Sequence, residues 1–231
     1  YVALSSSPKV LNTISLRSSD IVFIPIADVK KRIADFDVVS IGCGLSTDLS
    51  VSILFKSILE SLAEYPKTVI IDADGLNLLS KMKSDVKLPQ NLIITPHPKE
   101  ASRLLKVDMN DIIEKPMQYA KALTEKYHCT TVLKMHSTVV CSVEQEIYVN
   151  DTGNSALAKA GSGDVLTGMI AGLCAQKMSN FDAARLGVYL HGRTGEIASG
   201  MLSEYSVLAS DLLKYIHLSI IDYLQIDEEN D

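Results

Sequence analysis

Four segments of this 231-residue chain place glycines or reactive side chains where a strand gives way to a helix. The richest is Gly153 to Gly168, in which Ala160-Gly161-Ser162-Gly163-Asp164 leads into an apolar helix expected to begin near Asp164. Small residues before a helix leave its first N–H groups open, aim its positive end at an anion and admit a phosphate closely. The segment is neither a Walker A loop, which needs Gly-Lys-Ser/Thr, nor a G-x-G-x-x-G fingerprint. It reads as a phosphoryl-transfer centre, with Ala160, Gly161, Ser162 and Gly163 against the phosphates. Asp164, in the first helical turn, is the expected base that orients and deprotonates an attacking hydroxyl. The competing assignment is a plain glycine-rich turn with Asp164 as helix cap.

The other three segments follow short apolar runs. Ile41-Gly42-Cys43-Gly44-Leu45-Ser46 has the glycines that let a backbone approach a ligand, though a strand–helix turn needs glycine for positive φ as well. Asp72-Ala73-Asp74-Gly75-Leu76-Asn77 offers Asp72 and Asn77 as contacts for a ligand or metal, and Asp74 as a cap for the helix that follows. Thr95-Pro96-His97-Pro98-Lys99-Glu100 fixes its backbone with two prolines and presents His97 and Glu100 from a rigid turn.

These positions need a sheet to hold them. Strands are expected at Val2–Ser5, Ile21–Ile26, Val38–Ile41, Thr68–Asp72, Leu92–Thr95, Thr131–Lys134, Thr138–Ser142 and Glu146–Val149. Helical patterns cover Leu49–Glu64, Gly75–Met82, Lys99–Leu105, Met117–Tyr127, Gly163–Gln176, Phe181–Ser199 and Ser206–Leu224. The alternation predicts βαβ crossovers and a mainly parallel sheet flanked by helices, with ligands beyond the carboxyl ends of the strands. Thr131–Lys134 and Thr138–Ser142 are close enough for a small antiparallel hairpin. The fold class is thus α/β, doubly wound. One domain is expected over residues 1–226, with a disordered acidic tail over 227–231. The chain opens inside a strand without Met, so it reads as a polypeptide whose N-terminal part is missing. Val2–Ser5 is expected within the same sheet, with its predecessor's place left unfilled.

Composition narrows the function classes. A formal net charge of −6 argues against nucleic acid or an anionic membrane as partner. Four widely spaced cysteines without a C-x-x-C pair read as free thiols of a reducing compartment, not zinc ligands or disulfides. No apolar run is long enough to span a bilayer and no signal peptide is recognisable, so a cytoplasmic location is expected.

The segments, in their order, resemble the ribokinase-like superfamily, and within it the NAD(P)H-hydrate dehydratases. The resemblance is carried by Ile71-Asp-Ala-Asp-Gly-Leu-Asn-Leu-Leu, Ile94-Thr-Pro-His-Pro-Lys-Glu-Ala-Ser-Arg-Leu, Val132-Leu-Lys-Met-His-Ser-Thr-Val-Val and Gly153 through Gly168. Tyr189-Leu-His-Gly and Leu208-Ala-Ser-Asp-Leu-Leu add to it. It covers the chain up to the acidic tail. It implies transfer of the γ- or β-phosphate of ATP or ADP to the hydroxyl of the hydrated nicotinamide ring of NADHX or NADPHX. Phosphate then leaves and NADH or NADPH is restored. By the same resemblance Gly44, His97, Glu100 and Asp164 contact the hydrated dinucleotide. Lys134, Met135, His136, Ser137 and Thr138, with Ala160 to Gly163, contact the adenine nucleotide, and Mg²⁺ bridges its phosphates. A homo-oligomer is implied as well. The sequence departs from the family at Met135-His136, where glycine usually follows the lysine, and in lacking the family's preceding strand and small-residue helix. Two other readings stay open: a ribokinase-like kinase of a vitamin precursor or sugar, and a non-catalytic nucleotide-binding protein.

Overall fold

Apolar runs covered on both faces set the centre of the fold. In the computed structural model, which describes residues 1–82 and 86–228, these runs become adjacent parallel strands. The chain divides into two compact units, Tyr1–Asp37 and Val38–Asp231.

The first unit is a βαβ turn of chain. Strand β1 (Val2–Ser6) is joined through helix α1 (Pro8–Ser15) to strand β2 (Ile21–Pro25), and the short helix α2 (Val29–Arg32) follows. β1 and β2 pair in parallel, from Val2 opposite Ile21 to Ser6 opposite Pro25. The Tyr1 ring meets the Phe36 ring edge-on at 5.4 Å. The expected placement of Val2–Ser5 in the main sheet is thereby corrected. Its hydrogen bonds go to β2, in a separate two-stranded sheet. α1 was not expected; its apolar positions Val10, Leu11 and Ile14 cover barely two turns, too few to stand out as a helical period.

The second unit holds a six-stranded sheet in sequential order. Its strands are β3 (Val38–Ile41), β4 (Thr68–Ile71), β5 (Asn91–Ile94), β6 (Thr130–Leu133), β7 (Val139–Cys141) and β8 (Ile147–Val149). β3 to β6 are parallel, while β6–β7 is the expected hairpin and β8 continues it antiparallel. The helices are α3 (Leu49–Leu62), α4 (Asp74–Lys81), α5 (Pro98–Leu105), α6 (Met109–Glu114), α7 (Pro116–Tyr127), α8 (Ser162–Ala175), α9 (Asn180–Leu202), α10 (Ala209–Leu212) and α11 (Ile216–Glu228).

Strand periodicity divides the core. Ile70, Ile93, Val132 and Val140 share one face and pack on Leu166 and Ile170 of α8 and Ala183, Ala184 and Val188 of α9. Their neighbours Val69, Ile71, Leu92 and Ile94 point to the other face and are also fully buried. The helix expected over Ser206–Leu224 is two helices. Lys214 and Tyr215 donate to the carbonyls three residues back, Asp211 and Leu212, in a tight turn that ends α10 before α11 begins. α11 runs to Glu228, and residues 229–231 of the expected acidic tail lie outside the described residues. No described helix is long and apolar enough to cross a membrane.

Candidate phosphoryl-transfer site

The ends of β3 and β4 meet backbone to backbone. Gly42, just past β3, has φ 130°, and a side chain there would put Cβ 1.9 Å from the Asp72 carbonyl oxygen. Asp72 N donates to Ile41 O at 3.2 Å, and Gly75 N donates to Asp72 O at 2.9 Å. Only glycine at position 42 admits this approach. The turn after β4 is tight enough to hold Ala73 at φ 49°.

Asp72 is the hub of the site. It is 1% exposed, yet its carboxylate is fully engaged. Oδ1 accepts from Lys134 Nζ at 2.7 Å and Ala73 N at 2.8 Å, and Oδ2 accepts from Thr167 Oγ1 at 2.8 Å. Three elements converge on one side chain: β4 supplies it, the end of β6 supplies Lys134 and α8 supplies Thr167. A Cβ on Gly163 would sit 3.2 Å from Lys134 Nζ and 3.9 Å from Asp72 Oδ2. The ammonium therefore lies against the first turn of α8, at the positive end of that helix.

α8 begins at Ser162, with Gly161 as its N-cap at φ 89° and no side-chain cap bond. Asp164 is the third helical residue, so the competing reading in which it caps the helix does not hold; its carboxylate instead lies within hydrogen-bonding reach of the Cys43 thiol. It is exposed beside Cys43, and one ligand atom each from Cys43, Asp72 and Asp164 lie within 4.8 Å of one another. Cys43 is exposed as a residue, but its thiol is turned inward and donates to Asp72 Oδ2 at 3.9 Å. That partial desolvation and the nearby Asp72 and Asp164 carboxylates push its thiol up to about 12. It stays a neutral donor, not a nucleophile.

Of the expected phosphate contacts, Ser162 N donates to Lys159 O at 3.2 Å. The N–H groups of Gly163 and Asp164, as first-turn donors, have no partner within the helix. Ser162 Oγ is 3.1 Å from His191 Nε2 of α9. His191 is 7% exposed, and burial lowers its pKa to about 4, so it is neutral near pH 7. Sequence reasoning quoted its Tyr-Leu-His-Gly string but assigned His191 no task; the partner lies 29 residues away. The loop before Gly161 is tied down by α9. Gly153 N donates to Glu196 Oε1 at 2.7 Å, and Asn154 Nδ2 donates to Ser199 Oγ at 2.7 Å.

The turn after β5 is a closed local motif. His97 Nδ1 accepts from the backbone N–H groups of Lys99 and Glu100 at 3.1 and 3.3 Å, and Glu100 Oε2 accepts from His97 N at 2.9 Å. This reciprocal pair caps α5, as a capping box does. Burial, then the charges of Lys134 and Arg103, hold the His97 pKa below its ordinary value. An accepting Nδ1 places the proton on Nε2, which lies 3.4 Å from Glu100 Oε1. Glu100 is 5% exposed, and burial pushes its carboxyl up. Lys134 N donates to Pro96 O at 2.8 Å, so the turn and the lysine are fixed to each other.

The remaining expected residues fall around this centre. Gly44 is exposed at φ 63° in a loop held by Asp74, whose Oδ2 accepts from Ser46 N at 2.9 Å. Asp74 is the first residue of α4, behind Ala73 as N-cap, so its expected capping role is corrected to a brace for the Gly44 loop. Asn77 extends that brace: its Nδ2 donates to Asp74 Oδ1 at 3.4 Å and its Oδ1 accepts from Arg103 at 2.6 Å. Past Lys134, the Thr138 hydroxyl donates to Met135 O at 3.2 Å, which closes the turn and leaves His136 and Ser137 exposed at its tip.

A Mg²⁺ ion needs near-octahedral oxygen ligands. Asp72 is saturated by Lys134, Ala73 and Thr167, and the Cys43 thiol is a poor ligand for so hard a cation. The described residues therefore build no all-protein magnesium cage. Asp164 is the exposed carboxylate of this group.

Comparison with known proteins agrees with this architecture. The family model described as NAD(P)H-hydrate dehydratase matches residues 11–218. A bifunctional NAD(P)H-hydrate repair enzyme of Moorella thermoacetica is 37% identical over 190 residues, covering 80% of this chain and 35% of its own length. An ADP-dependent (S)-NAD(P)H-hydrate dehydratase of Neisseria meningitidis is 37% identical over 195 residues, covering 83% of this chain and 64% of its own. The chain thus spans from about a third to just under two thirds of these relatives. Among solved structures, the ADP/ATP-dependent NAD(P)H-hydrate dehydratase of Bacillus subtilis, co-crystallised with ATP/Mg²⁺, superposes with a TM-score of 0.83 at 29% identity, covering 96% of this chain and 80% of that one. A ribokinase-like protein of Enterococcus faecalis gives a TM-score of 0.84 at 24% identity, which speaks for the fold alone. With the sheet, the glycine-entered helix and the His-Pro turn in one place, the chain belongs to the NAD(P)H-hydrate dehydratase family and has the ribokinase-like fold.

Proposed function

We propose that this chain restores NADH and NADPH from their hydrated forms, using ADP or ATP as phosphoryl donor. The observation that carries the reading is the convergence of three groups at the strand ends: the open first turn of α8, the Lys134 ammonium against Gly163, and the exposed Asp164 carboxylate.

In this reading the nucleotide lies along the Lys134–Thr138 turn, with its terminal phosphates against the first turn of α8 and Ala160 to Gly163. Charge neutralisation there would be supplied by a Mg²⁺ ion held on the phosphates, not by protein ligands alone. The hydrated nicotinamide lies between the Gly44 loop and the His97 turn, with Glu100 acting through His97. Asp164 accepts the proton of the ring hydroxyl as its oxygen bonds to the terminal phosphorus, and AMP or ADP departs. Phosphate is a far better leaving group than hydroxide. The ring C–O bond then breaks, a ring proton is lost and the double bond of the reduced nicotinamide re-forms.

The Lys134 ammonium and the helix end stand where negative charge gathers on the phosphoryl oxygens. Neutral His97, with its proton on Nε2, offers a hydrogen-bond donor without adding charge. Cytoplasmic location and a homo-oligomer belong to the same reading, with small molecules as the partners.

The test is incubation with hydrated NADH, Mg²⁺ and either ADP or ATP, following absorbance of the reduced nicotinamide. Growth of that absorbance with one nucleotide, and none without nucleotide, is the expected result. Phosphorylation of a vitamin precursor or sugar in place of this reaction would favour the kinase reading. Nucleotide binding with no turnover of any such substrate would favour a binding protein.

A further inference from the structure

The geometry points to Asp72 as a positioning residue that fixes the Lys134 ammonium at Gly163 and holds back its charge from the resting nucleotide. The inference rests on the phosphoryl-transfer reading of the site given above. The carboxylate is 1% exposed, and its bonds join different parts of the centre: Lys134 at 2.7 Å, Thr167 of α8 at 2.8 Å, its own turn at Ala73 N at 2.8 Å and the Cys43 thiol at 3.9 Å. Lys134, with 19% of its side chain exposed, has one face on Asp72 and another toward Gly163 and solvent.

An unpaired lysine on a flexible stem would follow a phosphate wherever it went and bind donor and transition state alike. Such uniform binding does not speed the chemical step. A buried carboxylate at 2.7 Å changes this in two ways. It fixes the ammonium relative to the first turn of α8 through Thr167, and it offsets the positive charge seen by the bound nucleotide. Lys134 then contributes most where negative charge develops in transfer. Thr95 lies beside this cluster. Its backbone N–H donates to Ile71 O at 3.2 Å, one residue before Asp72, and its buried hydroxyl has no partner. Lys134 and Thr167, with the Cys43 thiol at 3.9 Å, are thus the side chains that hold the carboxylate.

The experiment uses the full chain with Mg²⁺-ADP as binding probe and hydrated NADH as substrate. Asp72→Asn is expected to lower turnover at least about tenfold, since a misplaced group commonly costs that much or more. The same variant is expected to bind ADP about threefold or more tightly, because the offsetting charge is gone. A carboxylate that merely supports the fold would weaken both. ADP affinity equal to or weaker than that of the unsubstituted protein, or unchanged turnover, overturns the inference. Lys134→Met leaves the buried carboxylate facing the nucleotide and should weaken ADP binding. Adding Asp72→Asn to it should recover several-fold of that loss, whereas further weakening contradicts the charge-balancing role. Should Lys134→Met fail to fold, the Asp72→Asn affinity alone decides. Absence of dehydration by the unsubstituted protein would sink the functional reading, while the ADP affinities still test the role of Asp72.

Discussion

The ends of β4 and β5 lie side by side in the sheet, and they solve the same problem in opposite ways. After β5, His97 and Glu100 close on each other within three residues, so the turn carries its own support. After β4, the Asp72 side chain closes nothing locally beyond Ala73 N. Its partners Lys134 and Thr167 lie 62 and 95 residues along the chain. One end is a self-contained cap; the other is a junction of three elements. A local motif can be lost with local consequences, whereas a buried charged junction fails as a whole.

Removing each centre should expose that difference. Asp72→Ala strands the Lys134 ammonium and the Thr167 hydroxyl, and unpairing a buried ion pair typically costs about 3–5 kcal/mol. His97→Ala removes one helix cap, worth about 1 kcal/mol. Urea unfolding of both variants measures the pair. Equal losses would show that the two strand ends are equivalent, against this account.

Acid should probe a second contrast, between the buried His191 and the half-exposed His97. His191 has its folded pKa lowered to about 4, and that of His97 is also lowered, so the unfolded chain binds more protons than the native one as pH falls below about 6.5. The stability they contribute is complete above that pH and is lost toward about 4 for His191. Between pH 6.5 and 5 the loss attributable to His191 should be about 2 kcal/mol. Thermal midpoints across that window should slope clearly for the unsubstituted protein and less for His191→Asn. Parallel slopes would remove His191 from the account.

The smallest effect is expected at the brace of the Gly44 loop. Arg103→Ala breaks an exposed bond to Asn77, and exposed pairs are worth about 0.2–1 kcal/mol. Stability should barely change, while the KM for hydrated dinucleotide rises if the brace holds Gly44 in place. A changed kcat with unaltered KM would contradict that assignment.

The same contrast explains what could be read from the sequence. The His-Pro-x-Glu turn, the glycine-entered helix and the parallel strands are local patterns, and each stands where its pattern placed it. The turn before α5 is legible because its prolines, His97 and Glu100 are neighbours and leave a local signature, although the cap that His97 and Glu100 form was not read. The Asp72–Lys134–Thr167 junction leaves none, since nothing near Asp72 names its distant partners. Asp74 was expected as a cap, and capping was the competing assignment for Asp164, because a carboxylate before an apolar run commonly is one. In each case a residue with positive φ, Ala73 or Gly161, takes the cap position instead and frees the acid for another contact. Helix α1 and the break between α10 and α11 went unseen because segments of two turns hold too few apolar positions to set a period.

The most direct test of the central claim is Asp164→Asn, which keeps size and most hydrogen bonding but removes the base. Turnover of hydrated NADH with Mg²⁺ and ADP or ATP should fall about 10²- to 10⁴-fold. ADP affinity and the thermal midpoint should stay close to those of the unsubstituted protein. A folded Asp164→Asn protein with near-normal turnover would contradict the assignment and remove Asp164 from the chemistry.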